Sequence, residues 1–451
     1  MKPALEKPAL KKTTPKTARA VPLNVTLLLP ALLFFAGQGV FAADFLDSVD
    51  FSGETETLFA SPFSTGRNLT EARTGAKMRL GAFAGETETR ITVNAEYNPL
   101  IPSRTGAVLE EAWLRYSPAP GGVSFSLSLG RQFISWGAAD GLILTDIVCP
   151  QNLVSYAGLD FAKSRLAVDG LSLNLGLSGF LFGDLSIEAL WLPVFTQAKL
   201  PLAGDNPLNA VLFSAFMNPP TEQAAEAAKP KTIADGEYGL RLSFYSSAFD
   251  LSVCGFYGWN DIPYVRGSIA GTPPYSLAPE FRRMIMAGGD ASVPVGDVLF
   301  RVEAAYTWGG RFNPDAAAAA ASGNMIPVEK DRLQTLAGLD WNPGLWTITA
   351  QYYEDILPQR TGGTERDRRK NAATLSVSRS FLRDILNVSV SGYLGLQDLD
   401  TAIGAEAAWA VTDELEFSVG TDFFSGGING GGDYAAYKDL SCVWVRGVYR
   451  F

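Results

Sequence analysis

A hydrolase built on this chain would need a general base beside a nucleophile. The 451 residues include no histidine, so neither a Ser–His–Asp triad nor a histidine dyad can be assembled. The three cysteines, Cys149, Cys254 and Cys442, are widely separated and odd in number. They support neither a His/Cys zinc site nor a disulfide framework. Carboxylate pairs remain, notably Glu110-Glu111 and Glu86/Glu88. Successive side chains of a strand point to opposite faces, so Glu110 and Glu111 are expected to part rather than meet. Glu54 and Glu56 share a face and read as the lining of a wet wall. The expectation is a protein that is not an enzyme and carries no metal or cofactor.

Charges recur at a spacing of two instead. Arg73, Lys77 and Arg79 share one face of their segment, and Glu88, Arg90 and Glu96 share one face of the next. Glu111 with Arg115, Arg301 with Glu303, and Arg446 with Arg450 follow the same rule. The opposite faces are apolar. Thr89, Ile91, Val93, Ala95 and Tyr97 oppose the second set; Val298, Phe300, Val302, Tyr306 and Trp308 oppose Arg301 and Glu303. In 414–424, Leu415, Phe417, Val419 and Phe423 oppose Glu416, Ser418 and Asp422. In the closing segment, Leu440 to Phe451, the apolar set is Val443, Val445, Gly447, Tyr449 and Phe451. Its other face carries Cys442, Trp444, Arg446, Val448 and Arg450. A charged face is costly against hydrocarbon and cheap against a wet lumen.

The elements that must hold these charges are strands. The alternation predicts them at 48–59, 70–82, 86–97, 107–117, 122–134, 163–180, 184–192, 235–247, 249–259, 281–293, 297–308, 331–341, 345–354, 371–380, 385–396, 399–411, 414–424 and 440–451. A secreted sandwich would alternate in the same way, and the connectors separate the two. Every second connector is short and most carry turn residues, as at Ala84-Gly85, Phe182-Gly183 and Thr412-Asp413. Most of the others are long: 135–162, 193–234, 260–280, 309–330, 355–370 and 425–439. Residues 309–330 hold an Ala-rich run, and 193–234 an Ala/Glu stretch (Glu222 to Lys229) suited to a short helix. Tyr97, Tyr116, Trp191, Trp259, Trp308, Trp341 and Tyr352 fall near strand ends, where an interfacial belt belongs. The fold class expected is all-β: a transmembrane antiparallel β-barrel of about 18 strands, with 16 the nearest alternative, long outer loops and short inner turns.

Residues 1–20 are basic, residues Val21 to Phe35 are mostly apolar, and small residues lead up to Ala42. That order reads as a signal peptide over residues 1–42, with a single barrel domain over 43–451. Later apolar runs are too short for a spanning helix, and an exported chain of this kind can cross a bilayer only as a closed barrel. The leader removes six of 37 bases and one of 47 acids, taking the net charge from −10 to about −15. An acidic chain is a poor partner for nucleic acid.

A terminal Phe after alternating apolar residues resembles the closing strand of bacterial outer-membrane barrels. The resemblance makes Phe451 an assembly signal read by the barrel-assembly machinery. Leu129-Gly130-Arg131-Gln132-Phe133-Ile134-Ser135-Trp136-Gly137 resembles a segment of a broad porin-like family of outer-membrane proteins. Two later elements of that family have counterparts in Val148-Cys149-Pro150-Gln151-Asn152, which lacks the family's first Asn and its Asp, and in Trp191-Leu192-Pro193-Val194-Phe195. The resemblance implies architecture rather than substrate, and leaves monomer and homotrimer both open.

The third outer connector, 135–162, carries Asp140, Asp146, Pro150 and Asp160, and an apolar run, Leu142-Ile143-Leu144, that an exposed loop should not hold. Folding inward would hide that run, as the third loop does in trimeric porins. The candidate constriction sets Asp140 and Asp146 against the wall bases Arg73, Lys77, Arg79 and Arg131. A barrel this wide leaves an aqueous channel, so the function expected is an outer-membrane porin passing small hydrophilic solutes, with lipid around it. The alternatives are a barrel for hydrophobic substrates and a surface adhesin or antigen on a barrel scaffold.

Overall fold

Alternation closes into a ring in the computed structural model, which describes residues 48–63, 69–118, 121–155, 164–209, 222–271, 276–359, 363–364, 368–428 and 430–451. The signal peptide expected over 1–42, and Asp160, lie outside the described residues. In chain order the strands are β1 (Val49–Pro62), β2 (Glu71–Ala84), β3 (Thr87–Tyr97), β4 (Gly106–Tyr116), β5 (Val123–Gln132), β6 (Val168–Phe180), β7 (Gly183–Leu192), β8 (Glu237–Tyr245) and β9 (Asp250–Trp259). Then come β10 (Tyr264–Ser268), β11 (Ser276–Glu280), β12 (Arg283–Val295), β13 (Val298–Phe312), β14 (Asn324–Met325), β15 (Val328–Trp341) and β16 (Trp346–Ile356). The last are β17 (Arg369–Phe381), β18 (Leu386–Gly395), β19 (Thr401–Ala410), β20 (Leu415–Ser425) and β21 (Cys442–Arg450).

Eighteen of these form one sheet in which each strand pairs antiparallel with its sequence neighbours, β9 meeting β12 and β13 meeting β15. β10, β11 and β14 stand apart as a small three-stranded sheet within the long connectors, where period-two alternation is too short to announce strands. Among the described residues two short helices, α1 (Glu222–Ala228) and α2 (Ala316–Ser322), occupy the Ala/Glu stretch and the Ala-rich run. Short turns collect on one rim and long connectors on the other. All eighteen expected strands are present, with ends moved by a few residues.

Closure is made by the first and last strands. Glu54 through Pro62 of β1 face Arg450 through Cys442 of β21 in unbroken register. Phe451 continues the ladder: its N–H donates to the Gly53 carbonyl (2.9 Å) and its carbonyl accepts from Gly53 N–H (2.8 Å). Its ring lies 5.9 Å from Phe51 and 6.2 Å from Tyr449. A Cβ on Gly53 would stand 2.6 Å from that ring, so the seam needs glycine there. A closed sheet has no exposed edge to recruit another chain.

The two faces of the wall differ as the period-two pattern requires. Phe300, Val302, Phe417, Val419, Val443 and Val445 are each about half exposed on the outer face. Glu303, Ser418, Asp422 and Cys442, their inward-facing counterparts, are buried. Cation–π contacts lie at both rims: Arg379 is 4.8 Å from the Trp346 ring centroid and 4.6 Å from that of Phe381 at the short-turn rim, and Arg283 is 4.2 Å from that of Trp259 at the other. Trp191, Trp308 and Trp341 are exposed near strand ends, whereas Trp259 is half-buried and donates Nε1–H to the Asp235 carbonyl at 2.8 Å.

Candidate functional site

Residues 133–149, the first part of the connector between β5 and β6, run inside the ring. Burial of the Leu142-Ile143-Leu144 run drives this. Leu144 is 1 % exposed and packs with Trp136, Val148, Leu190, Phe256, Met286 and Leu336 in an apolar cluster on the inner wall. A loop backbone withdrawn from water must find polar partners. Here they come from wall strands. Glu303 of β13, 3 % exposed, is the main one. Its carboxylate accepts from the N–H groups of Ala138, Ala139 and Thr145, each at 2.8 Å, and from Thr145 Oγ1 at 2.7 Å. Gln351 of β16 donates to the Asp140 carbonyl (2.7 Å) and accepts from its N–H (3.0 Å). Gln334 of β15 donates to the Ile143 carbonyl (3.2 Å), and Trp136 Nε1–H donates to Glu188 of β7 (2.9 Å). Arg301 reaches the Ala138 carbonyl and also pairs with Asp340 at 2.7 Å.

The Trp-Gly pair has a steric reason. Gly137 has a φ of +83°, and a Cβ there would stand 2.6 Å from Thr145 Oγ1 and 2.7 Å from Glu303 Oε1. Only glycine lets the loop wrap this closely around the carboxylate. Inside the loop, Trp136 N–H donates to Asp146 (2.9 Å), which also pairs with Arg165 at 2.6 Å. Burial pushes the Asp146 carboxyl above its ordinary range, while the Trp136 hydrogen bond and the Arg165 charge pull it back. Cys149 accepts from Ile134 N–H (3.2 Å), and burial pushes its thiol up to about 12, so it is a packing residue rather than a reactive one.

None of the hydrogen bonds holding residues 133–149 reaches β17–β21 or β1–β4 among the described residues. β2 is second and β13 eleventh in the ring of eighteen, so β2 faces the anchored loop across the lumen. The inner faces of this arc carry charge. Arg73 pairs with Glu56 (2.7 Å) and Glu71 (3.6 Å), and Lys77 with Glu110 (2.7 Å). Arg90 and Arg115 share Glu88, Arg446 pairs with Glu406, and Arg450 bridges Glu416 (3.3 Å) and Glu54 (4.0 Å).

A family model described as Protein of unknown function (DUF1302) matches residues 56–437. The chain belongs to the DUF1302 family. None of the curated proteins compared with it matches. Among solved structures it is similar to Acinetobacter baumannii OccAB1, with a TM-score of 0.52 and 10% identity over 91% of this chain and 97% of that one. Acinetobacter baumannii OccAB2 gives a TM-score of 0.51 and 10% identity over 90% and 98%. At such identities the likeness is one of fold.

The six candidate constriction residues are dispersed differently in this DUF1302 barrel. None of Arg73, Lys77, Arg79 and Arg131 pairs directly with Asp140 or Asp146. Arg73 and Lys77 are neutralised by wall acids and Asp146 by Arg165. Arg131 lies on the other side of the wall. It stands in register with Ala112 and Asp169, on the face of Leu127 and Leu129, and grips Asp169 through two bonds of 3.0 and 2.5 Å. Gln132 is the buried inward residue there, donating to the Gly170 carbonyl at 3.2 Å. Arg79 and Asp140 are left: both are exposed, and neither side chain has an ion pair among the described residues.

Strict alternation also fails at Glu110. β4 bulges opposite Thr92 and Val93, which leaves Glu110 as an extra residue. Both neighbours then reach the lumen: Glu110 pairs with Lys77, and Glu111 accepts from Thr92 Oγ1 (2.9 Å) and Trp113 Nε1 (3.3 Å). Glu110 and Glu111 therefore share a face, each tied to its own partner.

Proposed function

We propose that this protein is an outer-membrane channel through which small hydrophilic solutes diffuse passively. The observation that carries the reading is the anchored loop. It fills one half of an eighteen-strand lumen with its own packed residues and leaves the charged arc of the other half wet; the Arg90, Arg115 and Arg450 side chains there are 37, 40 and 48 % exposed. A ring of this size is too wide for wall side chains to fill. Its apolar outer face suits lipid, with the short-turn rim toward the periplasm. Arg131 and Asp169 then lie on the lipid side at the outer rim, where charge costs little compared with the bilayer midplane. The constriction in this reading lies between Asp140 on the loop and Arg79 on the far wall, with the paired Arg73 and Lys77 beside it. The apolar wall under the loop, around Leu190, Phe256, Met286 and Leu336, is covered by the loop's own Trp136, Leu144 and Val148, which leaves little there for a hydrophobic substrate.

Purified protein in planar bilayers should give stable open steps of porin size. A closed bilayer with folded, inserted barrel would remove this reading. Assembly gives a second expectation. Deleting Phe451 removes both of its seam bonds to Gly53 and its packing on Phe51, and should leave precursor in the periplasm. Cell fractionation together with heat-modifiable gel migration reads the outcome. A normally inserted, folded barrel would show that Phe451 is dispensable for assembly.

A further inference from the structure

A cavity of about 340 Å3 opens on the inner wall near the long-loop rim, among β15–β18 and the connector between β20 and β21. Its size is at the lower end of small-molecule pockets, which run from roughly 300 to 1,000 Å3. Arg332, Tyr353, Asp355 and Lys370 line it from the wall, with Tyr393 and Asp433 closing it. Charge here is present but balanced. Arg332 holds Asp355 in a two-pronged pair, Nε to Oδ1 at 3.0 Å and Nη2 to Oδ2 at 2.7 Å. Lys370 holds Asp433 at 2.6 Å, and Tyr393 Oη–H donates to the same carboxylate at 3.3 Å.

This balance decides the ligand class. A net anion would have to approach two carboxylates, and a net cation two bases, with no unmatched charge to receive either. Hydroxyl groups meet no such penalty. A paired guanidinium and ammonium keep spare N–H donors, and paired carboxylates keep spare lone pairs. The rings of Tyr353, Tyr393 and Phe312 supply flat apolar faces beside these groups. Donors, acceptors and aromatic faces around a neutral space suit the hydroxyl edge and C–H face of a sugar ring.

The pocket is also held in place. Tyr393 packs on Tyr434 at 4.9 Å, and Tyr434 N–H is anchored to Asp400 at 3.0 Å. At its base Gln334 donates to Tyr353 Oη (2.7 Å) while its other bond reaches the Ile143 carbonyl of the folded loop. The cavity therefore adjoins the anchored loop on the long-loop side of the barrel.

We propose that this pocket captures neutral polyhydroxylated solutes of about monosaccharide size before they pass the loop; the order of steps rests on the channel reading above. The test uses full-length protein with D-glucose, D-xylose and myo-inositol as probes, and acetate, benzoate and glycine as comparators. Titration calorimetry in detergent measures binding, and current block in planar bilayers measures occupancy. At least one sugar probe should bind and block more strongly than all three comparators. Tyr393→Ala and Asp433→Asn should each weaken that binding roughly tenfold, the loss of one aromatic or one charged contact. Heat-modifiable migration reports that each variant is assembled. Open steps without sugar binding or block would overturn the pocket and leave the channel. Sugar heats lost in both variants, with a silent bilayer, would keep the pocket and overturn the channel. Assembled variants that bind as the parent does, or a comparator that binds more tightly than every sugar, would overturn the proposal.

Discussion

Glu303→Ala should release the loop and enlarge the pore. The carboxylate accepts four hydrogen bonds from Ala138, Ala139 and Thr145. Bonds to a charged group are each worth about 1.5–3 kcal/mol, and a buried donor left without an acceptor costs about 1–3 kcal/mol. Truncation orphans all four donors at once. The loop lowers that cost by leaving the wall and returning to water, which also gives up the packing of Leu144 and Trp136. The barrel need not fall with it, because the strand ladder does not pass through Glu303's side chain. Larger, noisier single-channel steps are therefore expected, with new protease cleavage inside 133–149 and little change in the unfolding temperature of the barrel. Glu303→Gln keeps one full acceptor and should lie between. Parental conductance and protease resistance in Glu303→Ala would mean that Gln351, Gln334, Arg301 and Glu188 suffice to hold the loop.

The elements of this architecture were readable because period two is a local property. The final segment shows it without help: Val443, Val445 and Tyr449 face out, and Trp444, Arg446 and Val448 face in. The inward loop was readable from Leu142-Ile143-Leu144, since an apolar run in a long connector needs somewhere dry. What the pattern hides is anything that depends on register or on contacts distant in the chain. Arg131 and Gln132 are adjacent and polar, so alternation places one of them inside without saying which. Burial decides for Gln132. Glu110 escaped because a bulge adds a residue and resets the parity. Alternation puts Glu303 on the inner face, yet its role depends on Ala138, which stands 165 positions earlier. One clue appears once register is known: on β15 Glu303 stands opposite Leu336, and on β12 opposite Asp290, so neither neighbour offers a positive charge. A buried carboxylate with no basic cross-strand partner must find donors elsewhere, and here the loop backbone supplies them.

Arg79→Glu should shift ion selectivity toward cations. The neighbouring bases are already compensated, Arg73 by Glu56 and Glu71, Lys77 by Glu110. An ion crossing the arc therefore meets little net field from them. Arg79 is exposed and uncompensated, flanked in register by Ser52 and Thr92, which are neutral. In the proposed channel it is the positive side of the passage opposite the loop, and Asp140 the negative side. Reversing its sign leaves two unmatched acids facing the same water. In a tenfold salt gradient the reversal potential should move by on the order of 10–20 mV in the cation-selective direction, a fraction of the ~59 mV set by a tenfold ratio for one charge. Screening sharpens the test. The Debye length is about 10 Å at 0.1 M and about 3 Å at 1 M, so the shift should be large in dilute salt and shrink in concentrated salt. Arg383→Glu makes the same change of charge in the turn between β17 and β18, away from the arc, and should move the potential less. Equal shifts from both variants would mean that net charge, not position, sets selectivity. No shift from Arg79→Glu at low salt would remove Arg79 from the constriction and leave Asp140 without its counterpart.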